Sequence, residues 1–372
     1  MLLTVAKKEL TEAVKLTATG KGVRILEAVR LTAKDGVLTL DGFDGEVYTS
    51  ITVNANIQTE GRAVVFKKQL SDALKNLKDK MLTIKVESDA LFINNVKLPA
   101  LDEAFLDEFA NRDEASITEA LEFTMPSEAF FKALNKVKYA MSKENERFTI
   151  SSVCITDKAF VATDGYRLAV YNTDYSLSEK IVIPSKTVLL LSKIKTANGD
   201  VRIKFNKEQA CFITKQIKIF FYISEGVYPD YKQVIPKDES NKVVIKVNKE
   251  QLITALRNTT ISDDRKSKPV ILEITDNKLK IKTALKLGRG YYSYSVDNAT
   301  FYTETEIDIE LLRNEAGVFK IGFNSNYLID AISGIEGDAI IKFVNADTQI
   351  TILDSKDDNY LALVMPMTVE FD

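Results

Sequence analysis

Hydrophobic and polar positions repeat along this chain in one phrase, about every 60 residues. Residues 7–15 read KKELTEAVK, residues 67–75 KKQLSDALK and residues 249–257 KEQLITALR; looser copies stand at 127–135 (SEAFFKALN), 185–193 (SKTVLLLSK) and 325–333 (SNYLIDAIS). In each copy an anchor (Leu10, Leu70, Phe130, Val188, Leu252, Leu328) is followed at +3 and +4 by small or apolar residues in most cases, such as Ala13 and Val14. That spacing predicts an amphipathic helix with one buried stripe. Ser127 and Ser185, each after a proline, and Asn248 and Asn324 are the candidate helix caps. Just before each phrase lies an apolar or alternating run: Leu2–Val5, Val64–Phe66, Phe123–Met125, Ile181–Ile183, Val244–Val247 and Phe319–Phe323. Two or three further runs of that kind follow each helix, Val37–Leu40 and Val201–Phe205 among them, and read as strands. The predicted unit is one strand, one short helix and a small antiparallel sheet, used six times. Taken in pairs, the units give an α+β chain of three similar domains, about 1–119, 120–240 and 241–372.

The charge pattern sharpens this picture. The position five after each anchor reads Lys15, Lys75, Asn135, Lys193, Arg257 and Ser333, four basic and none acidic. On a helix that position lies roughly 140° from the anchor, away from the stripe that packs on the sheet. The helical segments with their flanks carry 23 Lys/Arg against 12 Asp/Glu, a local excess of 11 in a chain whose net charge is −3. The rest of the chain is therefore about 14 charges negative. Positive charge gathered on repeated helix faces of an acidic protein suits a surface that holds a polyanion and repels it elsewhere. The plainer alternative is that these lysines only solvate exposed helix faces.

Composition excludes several function classes. There is no histidine, which removes Ser-His-Asp and Cys-His nucleophile systems and any His-ligated metal. No G-x-x-x-x-G-K-[ST] loop is present. Cys154 and Cys211 sit in separate strand-like runs without metal or redox spacing, and are expected to be core residues in a reducing cytoplasm. Asp102, Glu103, Asp107, Glu108, Asp113 and Glu114 fall between the first two expected domains, where they read as a solvated, nucleic-acid-repelling connector. No apolar run approaches a membrane span, and Met1-Leu2-Leu3 leads straight into a strand-like run without a signal-peptide pattern. No cofactor and no metal are expected.

Four segments carry a resemblance: Val161-Ala162-Thr163-Asp164-Gly165-Tyr166-Arg167-Leu168-Ala169; Tyr228-Pro229-Asp230-Tyr231 with Val234-Ile235-Pro236; Phe323-Asn324-Ser325-Asn326-Tyr327-Leu328; and Leu363-Val364-Met365-Pro366-Met367. In that order and at those separations they resemble the bacterial sliding clamps, the beta subunits of DNA polymerase III, over the whole chain. The resemblance implies a ring of two subunits joined head to tail, domain one of each against domain three of the other, with helices inside and sheets outside. Retention on double-stranded DNA would be topological and indifferent to sequence, acting through phosphates. It implies as partners the replicative polymerase catalytic subunit, the clamp loader and other proteins with a clamp-binding motif, and no catalysis and no membrane. The DNA-facing candidates are Lys15, Lys75, Lys193 and Arg257 with the flanking Lys21, Arg24, Lys136, Arg147 and Phe148.

The resemblance also implies a hydrophobic groove for a partner peptide. It carries over to Ile150, Thr163, Gly165, Tyr166, Arg167, Leu168, Pro229, Val234, Asn324, Tyr327, Val364, Met365, Pro366 and Met367. Asp-Gly is a common turn, and Leu40-Asp41-Gly42 in domain one is expected to be the same turn without the Tyr-Arg-Leu that follows. For Met365 and Met367 the alternative is ordinary core at a chain end. Phe92, Ile93, Thr260 and Ile261 are the candidates for the joint between subunits. The chain departs from the family's pattern at Tyr166, where histidine is common, at Gln233, where a basic residue is usual, and in a tail that runs past Met367. Arg24-Ile25-Leu26 replaces a proline-containing approach, and the last helix, around Asp330 and Glu336, is not basic. Two other readings compete: a clamp-like interaction scaffold that does not encircle DNA, and a small-molecule enzyme using the Asp164 and Tyr166 region, for which no base, metal set or phosphate loop is present.

Overall fold

The computed structural model describes residues 1–102, 105, 116–144, 149–194, 199–224, 226–284 and 303–369. An α-helix stands at each of the six phrases: α1 (Lys7–Leu16), α2 (Lys67–Asn76), α3 (Ser127–Val137), α4 (Ser185–Leu191), α5 (Lys249–Thr259) and α6 (Ser325–Ser333). Each follows a strand that ends at or one residue before the helix. All six anchors are at most 1 % exposed. The +5 positions are exposed in all six, so the two faces inferred from spacing are the two faces the chain adopts.

The chain divides into two compact units, Met1–Phe131 with 186–225, and Lys132–Ser185 with Gly226–Asp372. In the first, twelve described strands form one antiparallel sheet. Its middle joins Tyr48–Thr59 to Ile217–Tyr222, with Tyr48 opposite Phe220 and Ile51 opposite Ile217. The rings of Tyr48 and Phe220 meet edge to face at 5.9 Å. In the second unit, nine described strands form a sheet from Ile181–Pro184 to Glu310–Asn314. Its middle joins Arg167–Asn172 to Asp357–Val364, with Arg167 opposite Val364. A four-stranded sheet, Glu304–Asp308, Lys278–Thr283, Pro269–Thr275 and Phe319–Asn324, completes that unit. Strands of the chain's middle third therefore serve both units: Leu121–Pro126 and 200–222 in the first, 152–184 in the second.

The helix ends are closed in two ways. Asn248 and Asn324 accept from the backbone N–H of Gln251 (3.1 Å) and Asn326 (3.0 Å), as the capping reading requires. Ser127 and Ser185 differ from expectation: each is already the first helical residue, and its own N–H donates to Gly199 or Ser151 across the neighbouring backbone. Three of the C-termini are met by a lysine from the neighbouring helix. Lys7 at the start of α1 donates to the carbonyl of Leu77, the C-cap of α2, and Lys67 at the start of α2 donates to Thr17, the C-cap of α1, at 2.6 Å. Lys249 at the start of α5 likewise reaches Ile335 (2.6 Å) just beyond α6. A cation at the carbonyl end satisfies orphaned acceptors and opposes the helix dipole.

One turn is relocated by the structure. Asp41-Gly42 is not a turn; both residues lie inside the strand Val37–Phe43, paired with Ser50 and Thr49. Gly42 is required there by close approach, since a Cβ would lie 2.3 Å from the Ala18 carbonyl oxygen. Asp41 instead holds the buried Arg30 through Nη2 at 2.9 Å and accepts from the Tyr48 hydroxyl at 2.9 Å. Burial, then the Asp41 carboxylate, drives the Tyr48 phenol well above its ordinary pKa. The turn of domain one is Asp44-Gly45-Glu46-Val47, in which Asp44 Oδ1 accepts from the N–H of Glu46 (3.1 Å) and Val47 (2.9 Å) and the Asp44 N–H meets the Val47 carbonyl at 3.2 Å. Most of the acidic connector, Glu103, Asp107, Glu108, Asp113 and Glu114, lies outside the described residues.

Lys67 carries a measurable signature of its capping position. Burial, then the neighbouring Lys193 ammonium, holds its pKa down to about 8 from 10.5, with Asp44 opposing. Between those two values the unfolded chain binds more proton than the folded one, so Lys67 makes stability rise with pH through that window. Denaturant titrations at pH 7.5 and pH 10 should show the wild type gaining about 1–2 kcal/mol relative to Lys67→Met, after allowing for the solvent that still reaches the ammonium. Equal pH dependence in the two proteins would show that Lys67 is not desolvated.

Candidate functional site

The strands Ala159–Thr163 and Arg167–Asn172 are joined by a turn built from side-chain oxygens. Asp164 Oδ1 accepts from the N–H of Tyr166 and of Arg167, both at 2.9 Å. Thr163 Oγ1 accepts from the Gly165 N–H (3.1 Å) and donates to the Arg167 carbonyl (2.7 Å). Gly165 sits at φ +89°, where a side chain would be strained. Thr163 and Gly165 therefore set the backbone. The residue they display is Tyr166, 58 % exposed.

Arg167 is the centre of the cluster and is only 5 % exposed. Its Nε pairs with Asp164 Oδ2 at 3.0 Å and its Nη1 with Asp330 Oδ2 of α6 at 2.5 Å. The guanidinium lies 4.5 Å from the ring centre of Tyr327, also on α6, and 5.5 Å from that of Tyr139. Burial alone would lower the Arg167 pKa; Asp330 and Asp164 outweigh it and hold the group charged. Tyr139 lies in the 3-10 turn Lys138–Ala140 that follows α3. Its hydroxyl meets that of Tyr360 at 2.8 Å, and Tyr360 donates to the Ala331 carbonyl of α6 at 2.7 Å. Burial raises the pKa of both phenols, so they remain hydrogen-bond donors.

The chain end completes the patch. Met365 N–H donates to the Tyr166 carbonyl at 2.8 Å, which fixes an exposed methionine beside an exposed tyrosine. Two residues on, Met367 N–H donates to Gly322 at 2.8 Å, and its side chain packs on Ile271, Ala284 and Val369. A Cβ on Gly322 would stand 2.5 Å from Val369, so this tail lies directly on the four-stranded sheet. Pro229 and Val234, both exposed, belong to a segment fastened by the Tyr228 hydroxyl on the Val161 carbonyl (3.3 Å) and by Gln349 Nε2 on the Val234 carbonyl (2.6 Å).

The structure thus brings Tyr166, Arg167, Tyr327 and Met365 together, and corrects several assignments. Leu168 and Val364 are core residues: they lie on opposite faces of the sheet, and both faces are packed there. Asn324 is buried and spends its side chain capping α6, and Met367 is packed on the four-stranded sheet. Pro366 is half-buried between the two methionines, and Ile150 is half-buried with its carbonyl on the Ser142 N–H. Tyr139 and Asp330 were not anticipated as site residues. Asp330 lies 163 positions from Arg167, and no local spacing links them.

On the helix faces, Lys15, Lys75, Lys193 and Arg257 are exposed, Lys75 beside Asp72 at 2.9 Å. Lys21 and Arg24 are exposed too, with the Arg24 guanidinium 5.9 Å above the Phe66 ring. Lys136 is corrected: it is buried, 3.2 Å from Glu336, and not a surface cation. Neighbouring Lys132 is likewise held by Asp357 (2.9 Å) and Glu336 (3.2 Å). Arg147 and Phe148 lie outside the described residues. Of the candidates for the joint, Ile93 and Thr260 are buried within the chain, Thr260 with its hydroxyl on the Leu256 carbonyl. Phe92 is half-buried, and Ile261 is 75 % exposed. Both cysteines are free and buried; burial pushes the Cys154 thiol up to about 12, far from a reactive thiolate. Among the described residues no cluster of His, Cys, Asp and Glu could hold a metal, and no helix is long and apolar enough to cross a membrane.

Comparison with known proteins covers nearly the whole chain. Three sequence families match in order: DNA polymerase III beta subunit, N-terminal domain (residues 1–108), central domain (124–230) and C-terminal domain (232–368). The beta sliding clamp of Rickettsia bellii is 27 % identical, covering 92 % of each chain, and that of Pseudomonas aeruginosa is 24 % identical, again covering 92 % of each. The fold matches the crystal structure of the DNA polymerase III beta subunit of Thermotoga maritima with a TM-score of 0.84 at 22 % identity, over 99 % of this chain and 100 % of that one. A Pseudomonas aeruginosa sliding clamp bound to griselimycin matches with the same score, identity and coverage.

The cluster makes opposite demands on adjacent residues. Arg167→Met leaves Asp164 and Asp330 without their shared cation and should cost about 3–5 kcal/mol in denaturant unfolding. Tyr166→Ala, at an exposed position, should change stability by no more than about 0.5 kcal/mol. Similar losses for the two variants would contradict the division into a buried support and a displayed surface.

Proposed function

The chain belongs to the DNA polymerase III beta-subunit family, and we propose that it acts as a DNA sliding clamp, two copies closing head to tail around duplex DNA to tether the replicative polymerase and other partners. The observation that carries this reading is the common phase of the six helices: every anchor is buried, every +5 position is exposed, and four of those six positions are cationic without a single acid. Such a face suits phosphates met at any register, which is what sliding requires. The three matched segments support domains near 1–119, 120–240 and 241–372. Partners dock on the patch of Tyr166, Tyr327 and Met365, bordered by Pro229 and Val234, where a few apolar anchors supply most of the affinity. The role is non-catalytic. Arg167 and its carboxylates are consumed in holding one another, and the phenols behind them are locked in hydrogen bonds. The site of action is the cytoplasm, where the chromosome is copied.

Two tests separate the parts of this reading. Reversing Lys15, Lys75, Lys193 and Arg257 to glutamate should leave the fold intact and lower loading on nicked circular DNA sharply. The logarithmic salt slope should become shallower by about 0.9 for each phosphate that is no longer neutralised. Wild-type protein should be retained on circles and released when they are linearised; retention on linear DNA would favour ordinary surface binding.

The joint is tested independently. Ile261→Asp places a charge at an exposed isoleucine that the ring would bury, costing about 3 kcal/mol or more of association. Sedimentation at micromolar concentration should show a folded monomer, and an unchanged dimer would move the joint elsewhere.

A further inference from the structure

We propose that the patch of Tyr166, Tyr327 and Met365 selects partner segments that carry a lysine or arginine beside their apolar anchors and disfavours those with an acidic residue there. The inference rests on the reading of this patch as the partner site and adds the charge of the occupant.

Arg167 is the cation of the cluster, and it faces two carboxylates, Asp164 and Asp330, which leaves one negative charge in excess. The two signs are unequally displayed: the Arg167 side chain is 4 % exposed, whereas that of Asp330 is 45 % exposed. A ligand at the surface therefore meets the carboxylate and not the guanidinium. The Tyr327 phenol registers the same field. Burial raises its pKa, the Asp164 carboxylate adds to that, and Arg167 offsets only part of it.

Among the described residues, Arg167 is the cation paired with Asp330. From Ser325 to Ser333, α6 contains no lysine or arginine. Beyond it, Glu336, Asp354 and Asp357 face two ammonium groups, Lys132 and Lys136, again three charges against two. At the other border Asp230 is held by the neutral Gln233 amide at 3.0 Å, with Lys232 next to it in sequence and exposed. Lys266 meets α6 through its backbone carbonyl on Asn326, at 3.1 Å. An exposed tyrosine ring also offers its face to a cation, an attraction an acid cannot use. An acidic residue in the bound segment would lie against Asp330 with the compensating Arg167 already committed.

The experiment uses three fluorescent peptides that share a Leu-Phe anchor pair and differ in one flanking residue, Lys, Gln or Glu, titrated against the full-length protein by anisotropy. Affinity should fall in that order, with about a tenfold gap between Lys and Glu at low salt that narrows as salt is added. Asp330→Asn should close most of the gap, and if that variant fails to fold, the salt dependence of the wild type decides. Equal affinities, or tighter binding of the Glu peptide, would overturn the inference while leaving the patch as the binding site. Failure of all three peptides to bind would instead count against the partner-site reading itself.

Discussion

One buried guanidinium organises the patch proposed to meet partners. Arg167 must satisfy its donors without water, since an unpaired buried cation costs several kcal/mol. It does so only because four separate pieces of chain arrive together: the Asp164 turn, the strand pairing opposite Val364, the 3-10 turn carrying Tyr139, and α6 with Tyr327 and Asp330. The exposed apolar groups then inherit their positions. Tyr166 is one residue away, and Met365 is tied to the Tyr166 carbonyl. A surface that binds through a few anchors gains most when those anchors need no ordering on binding, and a packed cation beneath them provides that rigidity.

The positive charge of the chain is sorted by the fold into three kinds. Lys7, Lys67 and Lys249 close the carbonyl ends of opposite helices. Lys132, Lys136 and Lys186 are matched by carboxylates. Lys15, Lys193 and Arg257 stand at the exposed +5 positions. The local excess read from the segments is thus an upper bound on what a polyanion would meet. The phase of the residue on its helix, and not the number of lysines, identifies the cations that face outward.

This explains what was legible in the sequence. Helix positions, the strand before each helix and both helix faces follow from local periodicity, because the stripe that Leu10 or Leu252 shares with neighbours three and four residues away is written in consecutive sequence. Long-range partners leave no such trace. Nothing near Arg167 indicates Asp330, nothing near Lys136 indicates Glu336, and Val364 is paired with Arg167, on a strand far along the chain. The Asp41-Gly42 pair shows the same limit at short range. A dipeptide suited to a turn is drawn into a strand because Asp41 is needed by Arg30 and Tyr48, and because Ala18 leaves no room for a Cβ on Gly42.

The turn that replaces it has its own consequence. Asp44-Gly45-Glu46-Val47 and Asp164-Gly165-Tyr166-Arg167 share the same two side-chain acceptances and the same backbone bond from aspartate N–H to the fourth residue, 3.2 Å in one and 3.3 Å in the other. The aspartate and glycine fix the shape, so the third and fourth residues are free to change without refolding the hairpin. In one copy they are Glu46, paired with Lys186, and Val47, a core residue; in the other they are a displayed aromatic and a buried cation. One turn geometry thus carries scaffold contacts in one place and a displayed aromatic over a buried cation in the other, with two positions making the difference.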